Sequence, residues 1–462
     1  MLTPASGRPS YAAVLRVPHA RRTFAAALVG RLSYGTVSIA VMLSVTRATG
    51  SYAVAGTVMA LFGATTVLLS PLRAAFVDRY GPRRALTPMA LIYAGLLTTL
   101  SVASWRPGAP APLLGALALA AGAFPPPLGP TMRAVWSALI DDQRLLQRAF
   151  GLDGVVEELL FVSGPLLVGA LLRWAPPAVG VAFSALLVVV GTAVFVSSPP
   201  VARARPGTAK PGRSTGRMRR ARGLAQPVTV AAGVGLGIGA LDLLVLAFAE
   251  ERRYGDDVAA WVLAALSAGS AVGGLLNGAV DWRTSARVRL PVLAAALGLT
   301  LAVAGLAPGL AVLTPAVVCA GLFIAPALTT SYLIADESAP PGFRTRAGAW
   351  VNTAVNAGTS AGSAAVGVLL GHLPLGVCFA VSGATTVTAA VLAGCGPAVA
   401  GVAGRLSFVR GVRPHRPGPP GAGGEPSADG VLVAAAPGAG GECAGAAHAC
   451  PAQPRRRRGG RR

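Results

Sequence analysis

Long apolar runs, separated by short polar or Gly/Pro-rich breaks, set the pattern of this chain. A membrane-crossing helix needs about 20 mostly apolar residues, and twelve runs reach that length. In the first half they cover 23–45, 52–76, 86–104, 112–134, 153–173 and 177–197. In the second half they cover 227–249, 258–280, 288–307, 311–334, 346–370 and 375–396. Helix is preferred to strand, because lipid offers no partner to an open sheet edge and barrel strands are about 10 residues long and alternating. The expected fold is an all-α integral membrane protein with twelve transmembrane helices in two pseudo-symmetric six-helix bundles. A cytoplasmic segment over 1–22 precedes the first bundle, 23–197; a basic cytoplasmic linker over 198–226 leads to the second bundle, 227–396. The tail, 397–462, is rich in Gly, Ala, Pro and Arg, a composition that builds no core and predicts disorder.

The two halves resemble each other in sequence. Ala121-Gly122-x-Phe124-x-x-Pro127 and Thr131 recur 199 positions later as Ala320-Gly321-x-Phe323-x-x-Pro326 and Thr330. Val77-Asp78 follows the second span, and Val280-Asp281 follows the eighth, each with basic residues behind it. A near-constant offset across six plus six helices predicts the parallel repeat of a two-domain secondary transporter.

Composition agrees with the pattern. Hydrophobic residues make up 53% of the chain and charged residues 12%, against about 25% charged in soluble domains. With a mean hydropathy of +0.61, a soluble enzyme is excluded. The 40 Lys+Arg against 17 Asp+Glu give a net charge of +23, which by itself fits a nucleic-acid binder, a membrane surface or a loop bias. Placed segment by segment, about 34 of the 40 basic residues fall on the side that holds both termini. This predicts a multi-pass protein of the cell (plasma) membrane with both termini cytoplasmic. The tail arginines have no interleaved aromatics, so no specific nucleic-acid reading is expected. The expected partners are a small-molecule substrate, protons and the lipid bilayer, with the chain a monomer.

No catalytic, cofactor or metal site is expected. Cys319, Cys378 and Cys395 lie in or beside apolar runs, and Cys443 and Cys450 form a lone pair in the tail. Gly233-x-Gly235-x-Gly237-x-Gly239 lacks the Lys-Ser/Thr of a nucleotide loop and instead gives helices a close approach.

Charges inside spans are the candidates for transport, because each costs about 2.5–3.5 kcal/mol to insert. Arg31 in the first span is a cavity cation for an anionic substrate or coupling carboxylate, a member of a structural ion pair, or a side chain that snorkels along its helix. The fifth span holds Asp153, Glu157 and Glu158. Asp153 and Glu157 share a helix face and either handle a proton or pair with Arg133, Arg144 or Arg148 at the mouth. Glu158, deepest in the span, is the expected proton site. Asp242 is the acid of the seventh span, read as a second coupling site or a solvated vestibule residue. Asn352 and Asn356 share a face of the eleventh span and either line a cavity or bond a neighbouring helix. Tyr34 stands one turn above Arg31, as cavity lining or packing.

Several motifs carry a family resemblance. Val77-Asp78-Arg79-Tyr80-Gly81-Pro82-Arg83-Arg84, between the second and third spans, resembles motif A of the major facilitator superfamily. The resemblance implies a gating role for Asp78, Arg79, Gly81, Arg83 and Arg84, with Asp78 against the start of the eleventh helix near Thr345. Ala74 stands where that family has its first Gly, with Arg73 beside it. Gly164-Pro165-x-x-x-Gly169, following Glu158, resembles motif C of proton-coupled exporters, with Val168 at one of its glycines. Arg31-Leu32-x-x-Gly35, Pro127-Leu128-Gly129-Pro130-x-x-Arg133-Ala134-x-Trp136 and Thr345-x-Ala347-x-x-Trp350 further resemble actinobacterial drug-exporter-like members. These likenesses imply alternating access and proton-coupled efflux of small, drug-like or hydrophobic molecules. Proton-coupled uptake of a sugar or organic acid is the alternative within transport. A non-transporting membrane interaction or regulatory protein is the alternative outside it.

Overall fold

The computed structural model describes residues 11–204, 214–254, 256–340 and 342–410, and every regular element among them is a helix. The first half contains α1 (Tyr11–Arg16), α2 (Ala20–Thr49), α3 (Tyr52–Leu68), α4 (Ser70–Tyr80), α5 (Pro82–Ala103), α6 (Ala111–Gly122), α7 (Leu128–Leu139), α8 (Gln143–Leu171), α9 (Pro177–Ser197) and the short α10 (Pro199–Ala202). The second half contains α11 (Ser214–Glu251), α12 (Asp256–Ala279), α13 (Ala286–Ala304), α14 (Leu310–Ser338), α15 (Arg344–Leu369) and α16 (Leu375–Arg410). The chain divides into two units, Met1–Leu406 and Ser407–Arg462. All contacts below belong to the first. Most of the expected tail, with Cys443, Cys450 and the terminal arginines, lies outside the described residues.

Among the described residues, nine helices are long and apolar enough to cross a membrane, or ten if α3 and α4, bent by 43°, form one span. With α3 and α4 taken as one span, two of the expected twelve fall outside this measure. The run 112–134 is interrupted between α6 and α7, where Pro125, Pro126 and Pro127 remove three consecutive backbone donors. The run 346–370 is one continuous helix, α15, but a polar one that carries Arg344, Arg346, Asn352 and Asn356.

Local chemistry sets the corners. Gly50 adopts φ 68 at the end of α2, and the Ser51 hydroxyl caps α3 by accepting from Val54 N at 3.4 Å. Gly81 adopts φ 85, and its N–H closes α4 on the Val77 carbonyl at 2.9 Å. Pro82 then starts α5, at a position where a missing N–H costs nothing. The Asp142 carboxylate caps α8 by accepting from Arg144 N at 2.8 Å.

The sequence repeat has a counterpart in the contacts. Thr131 Oγ1 donates to the Pro127 carbonyl and Thr330 Oγ1 to the Pro326 carbonyl, both at 2.7 Å. Gly122 lies against the Phe62 carbonyl and Gly321 against the Leu266 carbonyl, with no room for a Cβ at either. Gly35 and Gly164 bring α2 and α8 into backbone contact, as Gly239 does for α11 at Thr359 of α15.

Three apolar clusters define the core. One, including Val37, Leu97 and Val188, draws only on the first half, and another, including Leu241, Leu297 and Phe379, only on the second. The third joins both halves: Phe24, Met132, Trp136 and Phe150 pack with Ala231, Tyr332, Leu333 and Val351. This shared cluster lies at the end of the molecule that carries the basic loops, so the halves are closed on each other there.

Polar contacts reinforce that basic end. Gln147 Nε2 donates to the Asn277 carbonyl at 2.5 Å, and Asp281 sits 3.6 Å from both Arg144 Nη1 and Arg148 Nη2. From α1, the Tyr11 hydroxyl crosses to the Leu275 carbonyl of α12 at 2.5 Å, against Gly278. Burial raises the pKa of this phenol above its ordinary value, so it remains a donor at neutral pH. Tyr11→Phe is expected to weaken closure of the basic end by about 1 kcal/mol. A shift toward longer distances between spin labels at Asp141 and Arg283 checks this.

Candidate substrate and ion-pair site

Helix α8 brings Asp153 and Glu157 to one face, and two arginines from other helices meet them there. Arg31 of α2 reaches Asp153 Oδ1 at 2.6 Å and Glu157 Oε2 at 3.0 Å. Arg133 of α7 reaches Asp153 Oδ2 at 2.9 Å through Nε, and also bonds Glu157. Arg31 is 3% exposed and Asp153 0%. Two positive and two negative charges therefore neutralise each other inside the protein. Burial of this kind is tolerated only with such pairing.

The network continues into the second half. The Arg133 guanidinium lies 3.8 Å from the centre of the Tyr332 ring on α14. The Tyr332 hydroxyl donates to Asn352 Oδ1 of α15 at 3.3 Å. Tyr332 stands 199 positions after Arg133, so the repeat register pairs the two residues that stack.

The remaining predicted residues occupy separate places. Of the three arginines named as partners of the α8 acids, Arg133 meets them, whereas Arg144 and Arg148 face Asp281. Glu158 has no arginine among the described ion pairs; its Oε1 accepts from Ser270 Oγ of α12 at 3.3 Å. Asp242 on α11 is exposed. Asn356 is exposed and donates to the Asn352 carbonyl of its own helix at 2.7 Å. The Tyr34 hydroxyl donates to the Pro126 carbonyl. Gly164 packs on the Gly35 backbone beside Pro165, which is inside α8, while Gly169 faces open space. Ser270 and Tyr332 are polar contacts that no sequence motif indicates, although the repeat register points to Tyr332.

At the basic end, Asp78 Oδ1 and Oδ2 accept from the backbone N–H groups of Thr345 (3.3 Å) and Arg346 (2.9 Å). The carboxylate of one half thus caps the first turn of α15 in the other, where unpaired N–H groups and the helix dipole favour an anion. Arg79, Arg83 and Arg84 are exposed around it. Asp78→Asn is expected to weaken this closure by about 0.3–2 kcal/mol, read as a larger open fraction with labels at Asp141 and Arg283.

Among the described residues, no group of three or more His, Cys, Asp and Glu could hold a metal ion.

The family model described as Major Facilitator Superfamily matches residues 23–363. No curated protein matches the sequence. Among solved structures, the chain is similar to a bacterial homologue of the iron transporter ferroportin in its outward-facing state, with TM-score 0.64 and 15% identity over 81% of this chain and 97% of that one. It is also similar to the human organic anion transporter MFSD10, with TM-score 0.63 and 14% identity over 81% of this chain and 99% of that one. The E. coli fucose:proton symporter gives TM-score 0.59 and 14% identity over 82% of this chain and 99% of that one. At these identities the likeness is one of fold.

Proposed function

We propose, for a chain that belongs to the Major Facilitator Superfamily and is therefore a membrane transporter and not an enzyme, that it exports small drug-like or hydrophobic molecules in exchange for protons. Membership makes it a multi-pass secondary transporter of small molecules. Our reading adds twelve spans in two six-helix bundles across the plasma membrane, with the basic end and both termini in the cytoplasm. On this reading the conformation is closed toward the cytoplasm, and transport proceeds as one bundle rocks against the other.

The observation that carries the proton coupling is the unequal treatment of the acids on α8. Asp153 and Glu157 each touch two arginines, so their charges are offset within the protein. Glu158 touches the Ser270 hydroxyl of the opposite half instead. Glu158 is half-buried, and a carboxylate drawn out of water with no cation against it favours taking up a proton; protonation here changes a contact between the two moving halves. Asp242, across from it on α11, serves as the second coupling carboxylate. Arg31 and Arg133 hold the helices that frame the cavity, and Asn352 and Asn356 offer polar contacts to the substrate.

A growth-inhibition screen across toxic compounds, with and without expression, tests this reading. Protection against a subset is expected, and accumulation of the same compounds in everted vesicles should require a pH gradient. Counterflow with compound on either side separates export from uptake. Higher sensitivity on expression would identify an importer and overturn the proposal.

A further inference from the structure

A helix broken inside a membrane leaves carbonyls without N–H partners, and lipid supplies none. The first half of the chain has two such breaks. Between α3 and α4 the axis bends by 43°, with Pro71 just beyond, and between α6 and α7 lie Pro125, Pro126 and Pro127. In an unbroken helix the Gly122 and Ala123 carbonyls would accept from N–H groups four residues on. Those positions are Pro126 and Pro127, which have none.

Arg73 of α4 takes their place. Its Nη1 donates to the Gly122 carbonyl at 3.1 Å and the Ala123 carbonyl at 3.3 Å. Its Nη2 donates to the Thr66 carbonyl, in the last turn of α3, at 2.7 Å. The residue is 6% exposed, and among the described ion pairs no carboxylate meets it. A helix C-terminus carries about half a negative charge. The ends of α3 and α6 together therefore offset one guanidinium.

The second half supplies an internal comparison. Its corresponding helices, α12 and α14, are continuous. The register that aligns Asp78 with Asp281 places Leu276 at the position of Arg73 and Gly274 at that of Pro71. The register that aligns Pro127 with Pro326 places Ile324 and Ala325 at Pro125 and Pro126. The arginine and the breaks occur together in one half and are missing together from the other.

We infer that Arg73 is a positioning residue that fixes the angles at which the second and fourth spans break. It thereby sets the two segments at the basic end: α4 with Asp78, and α7 with Arg133. The inference rests on the proposed roles of those two residues, and its test needs neither substrate nor proton.

The test uses the full chain in lipid nanodiscs with spin labels at Leu113 and Ala138, exposed positions on either side of the α6–α7 break. A second pair at Asp141 and Arg283 reports the basic end. The parent should give one narrow distribution for the first pair and, for the second, a distribution dominated by the short distance of the closed basic end. Arg73→Met should shift and broaden the first and lengthen the second, while Leu72→Ala, at an exposed neighbour, should change neither. Parent-like distributions in Arg73→Met overturn the inference. If that variant does not fold, Arg73→Lys decides, since it keeps the charge but not the planar fork: a broadened first distribution supports the inference, and an unchanged one overturns it. Pro126→Ala with Pro127→Ala returns two backbone donors. In that background the effect of the Arg73 substitution should shrink, and an equal effect in both backgrounds contradicts the assignment. Failure of the proton-coupling reading would leave these distances unaltered, so the two ideas fail separately.

Discussion

Arg133→Leu is expected to destabilise the folded chain by about 3–5 kcal/mol, the range for removing one partner from a buried ion pair. Without Arg133, Arg31 alone faces both Asp153 and Glu157, and one buried negative charge has no counterion. The cation–π contact with Tyr332 is lost in the same step. A large fall in the melting temperature of the purified protein is the expected readout. Arg133→Leu combined with Asp153→Leu removes one charge of each sign and should recover most of the loss, because the cost lies in the unpaired charge. If Arg133→Leu melts with the parent, the four residues do not form a closed network.

Glu158→Gln is expected to abolish pH-driven transport while the chain stays folded and inserted. Glutamine keeps the size of the side chain and a bond to Ser270, but it cannot take up and release a proton. Exchange of substrate for substrate, which moves no net proton, should survive. Counterflow in proteoliposomes measures that exchange and an imposed pH gradient measures the coupled rate. Retention of the coupled rate would move the proton site elsewhere, with Asp242 the first place to look.

Much of the architecture is legible from the sequence because apolar run length is what lipid selects. The two expected spans that depart from the apolar-length measure show where that criterion ends. The run 112–134 is apolar up to Thr131 and Arg133 near its end, yet three prolines in succession break the helix for a stereochemical reason that hydropathy does not register. The run 346–370 is a good helix but a polar one, since part of its surface faces the other half of the protein rather than lipid.

At the site, the acids of α8 are visible from their spacing, but their partners are not. Arg31, Arg133, Arg144 and Arg148 are all within sequence reach, and the crossing of α2 and α7 over α8 selects the first two. Arg73 and Arg133 stand near the ends of apolar runs, so counting charges by loop assigns them to the surface, whereas both are buried. Ser270 becomes relevant only once α12 lies against α8.

Proton movement caused by the substrate itself is the most direct sign of export in exchange for protons. Everted vesicles containing the parent chain are acidified and followed with a pH-sensitive dye, and compounds against which expression protects are added in turn. These compounds should release protons from the vesicles in the parent and not in Glu158→Gln. Movement of the same compounds by the parent with no accompanying proton release would contradict export in exchange for protons.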